Sequence, residues 1–207
     1  DILSISAVGS LREELPPGHF VIADQFIDRT FGRAKSFFGK GLVAHVSLAD
    51  PVCPRLSDLA AQAARAAKAP TTLGATYLAM EGPQFSTRAE SALYRQWDCD
   101  VIGMTAMPEA KLAREAELPY ALVGMVTDYD CWRTEEAGVE VTDVLRVLND
   151  NAALARRLVL EFIALLPSER TASPIDTCLD HALITAQEAR DPETVARLDA
   201  VAGRLLR

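Results

Sequence analysis

The run Tyr120-Ala121-Leu122-Val123-Gly124-Met125-Val126 passes without a break into Thr127-Asp128-Tyr129-Asp130-Cys131-Trp132. Its first part is apolar on both sides, which reads as a strand buried on both faces between helices. Asp128 and Asp130 then sit just past the carboxyl end of a central strand, the place where open α/β sheets bind ligands. Two positions apart, they share one side of an extended chain. Taken alone, such a D-x-D also reads as a turn carrying two solvated acids.

Outward from this strand, elements alternate. Residues 2–8 and 20–23 read as strands, with a short helical turn over 11–15 stopped by Pro16-Pro17-Gly18. A long loop runs to Gly41 and is a candidate binding or subunit-contact segment. Residues 42–46 suggest a further strand, 55–67 an alanine-rich helix, and 72–80 another strand. Thr87 and Glu90 have the spacing of a capping box and open a helix reaching about Trp97. Residues 101–104 form a short buried strand. Pro108 and Glu109 suit the first turn of a helix that ends before Pro119. From 142 to 166 apolar residues such as Leu148, Ala152, Ala155, Val159 and Phe162 recur at helical steps. Helices are expected over 176–189 and 192–206, the latter with Asp191 as cap and Pro192 as first residue. The expectation is an α/β fold with a central mixed or mostly parallel sheet flanked by helices.

The chain has 207 residues, about half of them hydrophobic and a quarter charged, as for one ordinary globular domain over 1–207. A net charge of -8 argues against an electrostatic grip on nucleic acid or on an anionic membrane. It leaves room for a small anion held by a local nest of amides. Cys53, Cys99, Cys131 and Cys178 show no C-x-x-C spacing, and His19, His45 and His181 do not cluster with them. No metal is expected, and a reduced, cytoplasmic protein is the simplest account. No stretch reads as a secretory leader or a membrane span. The chain opens at Asp1 and runs straight into a strand, which suggests that the numbering begins inside a longer protein.

Several turns hold small polar residues: Ser6-Ala7-Val8-Gly9, Gly82-Pro83-Gln84-Phe85-Ser86 and Met104-Thr105. Thr105 precedes a helix whose free amides favour an anion such as phosphate. Singly, Ser6, Ser86 and Thr105 read as caps and turn formers, and Phe85 and Met104 as core.

Together these segments resemble a known family. Ser6-Ala7-Val8-Gly9-Ser10-Leu11-Arg12-Glu13-Glu14, Asp24-Gln25-Phe26-Ile27-Asp28-Arg29-Thr30, Glu81-Gly82-Pro83-Gln84-Phe85-Ser86-Thr87-Arg88-Ala89-Glu90-Ser91, Gly103-Met104-Thr105-Ala106-Met107-Pro108-Glu109 and the Thr127–Trp132 string match the methylthioadenosine phosphorylases of the purine nucleoside phosphorylase superfamily. The resemblance implies a nucleoside phosphorylase-like fold and phosphate attack on 5′-methylthioadenosine, with adenine released. Phosphate is then a co-substrate, and no cofactor is implied. It makes Asp128 the acid at purine N7 and sets Asp130 against the N6 amino group. Ser6, Ala7 and Thr105 match phosphate-site residues, with Ala7 also near the ribose. Met104 matches a residue under the ribose, and Phe85 and Ser86 match the pair around the base. His45 matches a residue lent by a neighbouring subunit of a homotrimer.

The chemistry suits these residue types. Glycosidic cleavage puts negative charge on the leaving purine, which a carboxyl group of raised pKa can neutralise. A second carboxylate accepts from the 6-amino group and repels a 6-oxo group. A 6-oxopurine or methylthioinosine phosphorylase, a hydrolase, and a non-catalytic nucleoside-binding or assembly fragment stay open as alternatives. The family's glycine-rich phosphate loop and its Arg-His segment lie before the first strand and are not in these residues. A shortened chain, a protein whose first piece is a separate chain, and a longer native polypeptide all account for this. The expectation is that the 207 residues alone do not turn over.

Overall fold

The computed structural model describes residues 1–133 and 141–206. Strands β1 (Ile2–Ser10), β2 (Phe20–Arg29), β3 (Thr71–Met80), β4 (Val101–Gly103) and β5 (Tyr120–Asp128) form one mixed sheet. It closes on itself in the order β1-β4-β3-β2-β5. The pairs β1/β5, β2/β3 and β3/β4 are parallel, while β1/β4 and β2/β5 are antiparallel. The mixed sheet matches the expectation; its closure into a barrel does not follow from strand and helix alternation, because closure depends on which edges meet.

Around it lie helices α1 (Pro54–Ala66), α2 (Arg88–Gln96), α3 (Ala106–Glu115), α4 (Val141–Leu165), α5 (Pro192–Arg197) and α6 (Asp199–Leu206). Strand β5 shows why the barrel and its helices hold together. Its residues Tyr120 to Thr127 are all buried. Successive side chains leave a strand on opposite faces. Tyr120, Leu122 and Val126 therefore join Val8, Val21, Tyr77 and Val101 in one core, which α3 closes with Ala106, Met107 and Ala110. Ala121, Val123 and Met125 join a second core with Leu56 and Ala60 of α1 and Leu158 and Phe162 of α4. Each large apolar side chain fully buried here contributes roughly 1.5–3 kcal/mol.

Local chemistry explains several departures from the sequence-based expectations. Residues 11–15 bend rather than coil into a helix. The Ser10 hydroxyl donates to the Arg12 carbonyl and accepts from its amide, 2.8 and 3.1 Å, which competes with helix formation. Strand β2 runs past Ala23 to Arg29 because Gln25–Arg29 pair with Thr76–Met80 across two register shifts. Residues 42–46 are not a strand: they make isolated bridges, Gly39 with Leu42 and Ala44 with Leu183. Leu42 is instead a plug in a third cluster with Phe38, Leu179, Ala182, Leu198 and Ala202. The helix expected over 176–189 is absent; 3₁₀ turns occupy Pro174–Thr177 and Gln187–Ala189. The helix expected over 192–206 breaks at Leu198, and Asp191 caps its first half by accepting from Thr194 N at 2.8 Å.

Candidate functional site

Strand pairing brings distant residues to one spot. The antiparallel register of β1 and β4 sets Gly9 opposite Ile102. Continuing that register places Ser6 by Thr105, and their hydroxyl oxygens lie 2.6 Å apart. On its other edge β1 pairs with β5 in parallel, with a register shift between Val8 and Gly9 that sets Gly9 opposite Asp128. A cavity of about 170 Å³ opens where these strand ends meet. Ala7, Val8 and Gly9 line it from β1, and Thr127, Asp128 and Asp130 from β5. Met80, Phe85, Ile102, Gly103, Met104 and Thr105 complete it.

Two glycines are required by close approach. A Cβ on Gly9 would stand 2.9 Å from Asp128 Oδ1 and 3.6 Å from Asp130 Cβ, so any side chain there would press on the acids. A Cβ on Gly103 would fall 2.0 Å from the Tyr77 hydroxyl. That hydroxyl comes from the barrel interior and accepts from Thr105 N at 3.4 Å.

The acids are arranged by a turn. Strand β5 ends at Asp128, and Asp130 takes a left-handed φ of 53°, which aspartate tolerates better than most residues. The Asp130 amide donates to Asp128 Oδ1 at 2.8 Å. Both carboxyls thus face the cavity through an Asx-type turn, not through the two-residue alternation of an extended chain. Thr127 Oγ1 lies 2.7 Å from Asp128 Oδ2 and 3.2 Å from the Val8 carbonyl.

Burial raises the Asp128 carboxyl above the usual carboxylate range, against the Thr127 hydroxyl and the Asp130 amide, which lower it. Burial also raises Asp130, the charge of Asp128 adds to this, and Ser91, the Cys131 amide and Ser86 oppose it. The rest of the string anchors the turn. Cys131 Sγ donates to the Ser86 carbonyl at 3.1 Å, and Trp132 Nε1 to the Ser10 carbonyl at 2.8 Å. Thr87 caps α2 with the full reciprocal box to Glu90.

The structure therefore gathers Ala7, Phe85, Met104, Thr105, Asp128 and Asp130 in one cavity, with Ser6 bonded to Thr105 behind it. Ser86 is nearly buried beside Phe85 and does not line the cavity itself. His45 is exposed on the loop that bridges to Ala182, outside this cavity. Gly9, Gly103, Thr127 and Tyr77 were missed as site residues; only the strand-end glycines gave a signal, as positions of close backbone approach. A roomier hollow of about 320 Å³ lies among Asp24, Asp50, Asp58 and Leu73. Its three carboxylates disfavour an anion, so the smaller cavity is the candidate site. Among the described residues no group of His, Cys, Asp or Glu is placed to hold a metal ion. No described helix is long and apolar enough to cross a membrane.

Comparison with known proteins points the same way. The sequence model of the phosphorylase superfamily matches residues 1–164. The S-methyl-5′-thioadenosine phosphorylase of Cereibacter sphaeroides is 61% identical, over all of this chain and 72% of its own length. That of Rhodospirillum rubrum is 58% identical, over all of this chain and 71% of its own. Among solved structures, a methylthioadenosine phosphorylase from an Antarctic soil metagenomic library superposes with a TM-score of 0.90 at 49% identity, covering 97% of this chain and 71% of the other. The Schistosoma mansoni methylthioadenosine phosphorylase in complex with adenine gives 0.84 at 34% identity, covering 88% and 72%.

Proposed function

The chain belongs to the phosphorylase superfamily, and from that premise we infer that it is a pentosyltransferase acting on 5′-methylthioadenosine. Inorganic phosphate attacks the anomeric carbon, the bond to purine N9 breaks, and adenine and 5-methylthioribose 1-phosphate are the products. The observation that carries this reading is a single cavity lined by two half-buried acids, Asp128 and Asp130, and by Thr105, whose hydroxyl is bonded to Ser6 behind it.

Asp128 is the general acid in this reading. Burial holds its carboxyl toward the protonated form, and it delivers that proton to purine N7 as the glycosidic bond lengthens. Asp130 accepts from the N6 amino group and disfavours a 6-oxo group there. Phe85 stacks on the base, and Ser86 supports it. Met104 and Ala7 lie against the sugar. Ser6, Thr105 and the amides that open α3 receive the phosphate, which needs no cofactor. Exposed His45 is offered to the methylthio end of a neighbouring subunit's cavity, as expected for a homotrimer. The scattered free cysteines suit a cytoplasmic protein. Residues 1–207 form one nucleoside phosphorylase-like domain, supported by the packing of Phe38 and Leu42 against Leu179 and Leu198.

The native polypeptide that carries these residues should release adenine from methylthioadenosine only when phosphate is added, and faster than it releases hypoxanthine from inosine. Asp128→Asn should lower kcat by about 10²–10⁴-fold, the usual weight of a general acid, with far-UV circular dichroism unchanged. Phosphate-independent release, or near-normal turnover by this variant, would remove the assignment.

A further inference from the structure

The Arg33 guanidinium lies on the loop after β2 and uses all five of its N–H donors. Nε donates to Glu81 Oε1 at 3.2 Å. Nη1 donates to the carbonyls of Met104, at 2.6 Å, and Met107. Nη2 donates to the carbonyls of Glu81 and Met80, at 2.7 and 3.3 Å. Glu81 completes the joint: its Oε2 accepts from Phe31 N and Gly32 N at 2.5 and 3.0 Å. One planar cation therefore ties the carboxyl end of β3 to the turn between β4 and α3.

Those two segments continue neighbouring strands, since Ala79 pairs with Gly103, and both line the cavity, Met80 from one and Met104 with Thr105 from the other. They already touch at Gly82, where a Cβ would stand 2.6 Å from Met104 Sδ. Arg33 itself is absent from the cavity lining. We propose that Arg33 is a positioning residue that sets the distance between the Met80 and Met104 walls, and with it the aim of the Thr105 hydroxyl at phosphate. This rests on reading the cavity as the methylthioadenosine site. The polar edge of the base is met by a different turn, that of Asp128 and Asp130, to which no described hydrogen bond joins the guanidinium; Phe85 is reached from the anchored end of β3 only through residues 82–84.

Two features separate the geometric role from the contribution to folding. The Arg33 and Glu81 side chains are mostly buried, so removing either also costs stability, and the role is read from phosphate kinetics in a variant that keeps the charge. A lysine would supply the charge but not the planar fork that reaches carbonyls on both walls. Misplacing reacting groups by about 1 Å can cost about a hundredfold in rate.

The test uses the native polypeptide with Arg33→Lys, Arg33→Ala and Glu81→Gln. Phosphate-dependent adenine release by the parent protein is measured first. Arg33→Lys should lower kcat/KM for phosphate by about tenfold or more, while adenine affinity by calorimetry stays within about twofold. Guanidinium ion should restore part of the loss in Arg33→Ala and none in Arg33→Lys. If Arg33→Ala does not fold, the lysine and Glu81→Gln variants carry the comparison, with Glu81→Gln showing a weaker loss of the same kind. Phosphate kinetics unchanged in Arg33→Lys, or an equal loss of adenine affinity, would overturn the inference while leaving the site reading in place. A parent protein without phosphate-dependent release would take down both.

Discussion

The two ends of the cavity are built from different materials. At one end stand two carboxyls whose ionisation is disfavoured by burial, held by a turn of the backbone. At the other stands the Thr105 hydroxyl, bonded behind the lining to Ser6, 99 positions away but brought close by strand register; the Tyr77 hydroxyl accepts from the Thr105 amide and Arg33 donates to the adjacent Met104 carbonyl. The first end can give up a proton and discriminate by charge. The second has neutral hydroxyls that donate and accept hydrogen bonds but carry no charge, and it depends on spacing. In the proposed reading, a chain with a net charge of -8 receives phosphate beside two acids because those acids are held toward neutrality.

The largest effect that would test this contrast is at Asp130. Replacing it by Asn exchanges an acceptor for a side chain that can also donate, so the penalty against a 6-oxo group should vanish. Asp130→Asn is expected to shift the ratio of kcat/KM for methylthioadenosine over methylthioinosine by about 10²–10⁴-fold toward the oxo substrate, since unpaired buried polar groups reject ligands on that scale. KM for phosphate should move little. An unchanged ratio would mean that Asp130 does not read the base, and the division of labour between the two ends would fail.

A smaller effect should appear at the hydroxyl end. Ser6→Ala and Thr105→Ala each remove one partner of the 2.6 Å contact. The double variant should be less damaged than the sum of the singles, with a coupling of about 0.5–1.5 kcal/mol in kcat/KM for phosphate. Additive losses would show that the hydroxyls act separately.

The two ends also differ in how readable they were. Asp128 and Asp130 stood out because a run that is buried on both faces ends in charge, and that pattern is local. The Ser6–Thr105 pair had no local signal: it exists only because β4 runs antiparallel to β1, and register is a property of two strands. The same reason explains the misses in the fold. Long periodic segments such as α4 and the Thr87 cap of α2 were legible from spacing and capping chemistry. Residues 42–46 and 176–189 were not. Leu42, Leu179 and Ala182 have the apolar content of regular elements, but they are buried in one another's cluster and need no continuous strand or helix. Arg33 was equally silent, since four of its five acceptors are backbone carbonyls, which leave no trace in the identity of the residues that supply them.

The smallest expected effect concerns stability, and its sign separates the ends most cleanly. Asp128 has a carboxyl raised above its unfolded value by burial. Such a group stabilises the fold most when protonated, below the unfolded value of about 3.9. It loses that contribution as pH rises through its raised folded value. Asp128→Asn does not titrate, so it should be more stable than the parent at neutral pH, by about 0.5–2 kcal/mol. That corresponds to about 2–4 °C in Tm per kcal/mol for a chain of this size. The gain should shrink as pH falls through the raised value and disappear below about pH 4. Ser6→Ala has no titrating partner in its 2.6 Å contact, so its Tm difference from the parent should not follow pH. Thermal unfolding of both variants from pH 4 to 8 measures the two slopes. A flat difference for Asp128→Asn would mean that the acid is not held toward its neutral form, and an acid that is already ionised has no proton to give the leaving base.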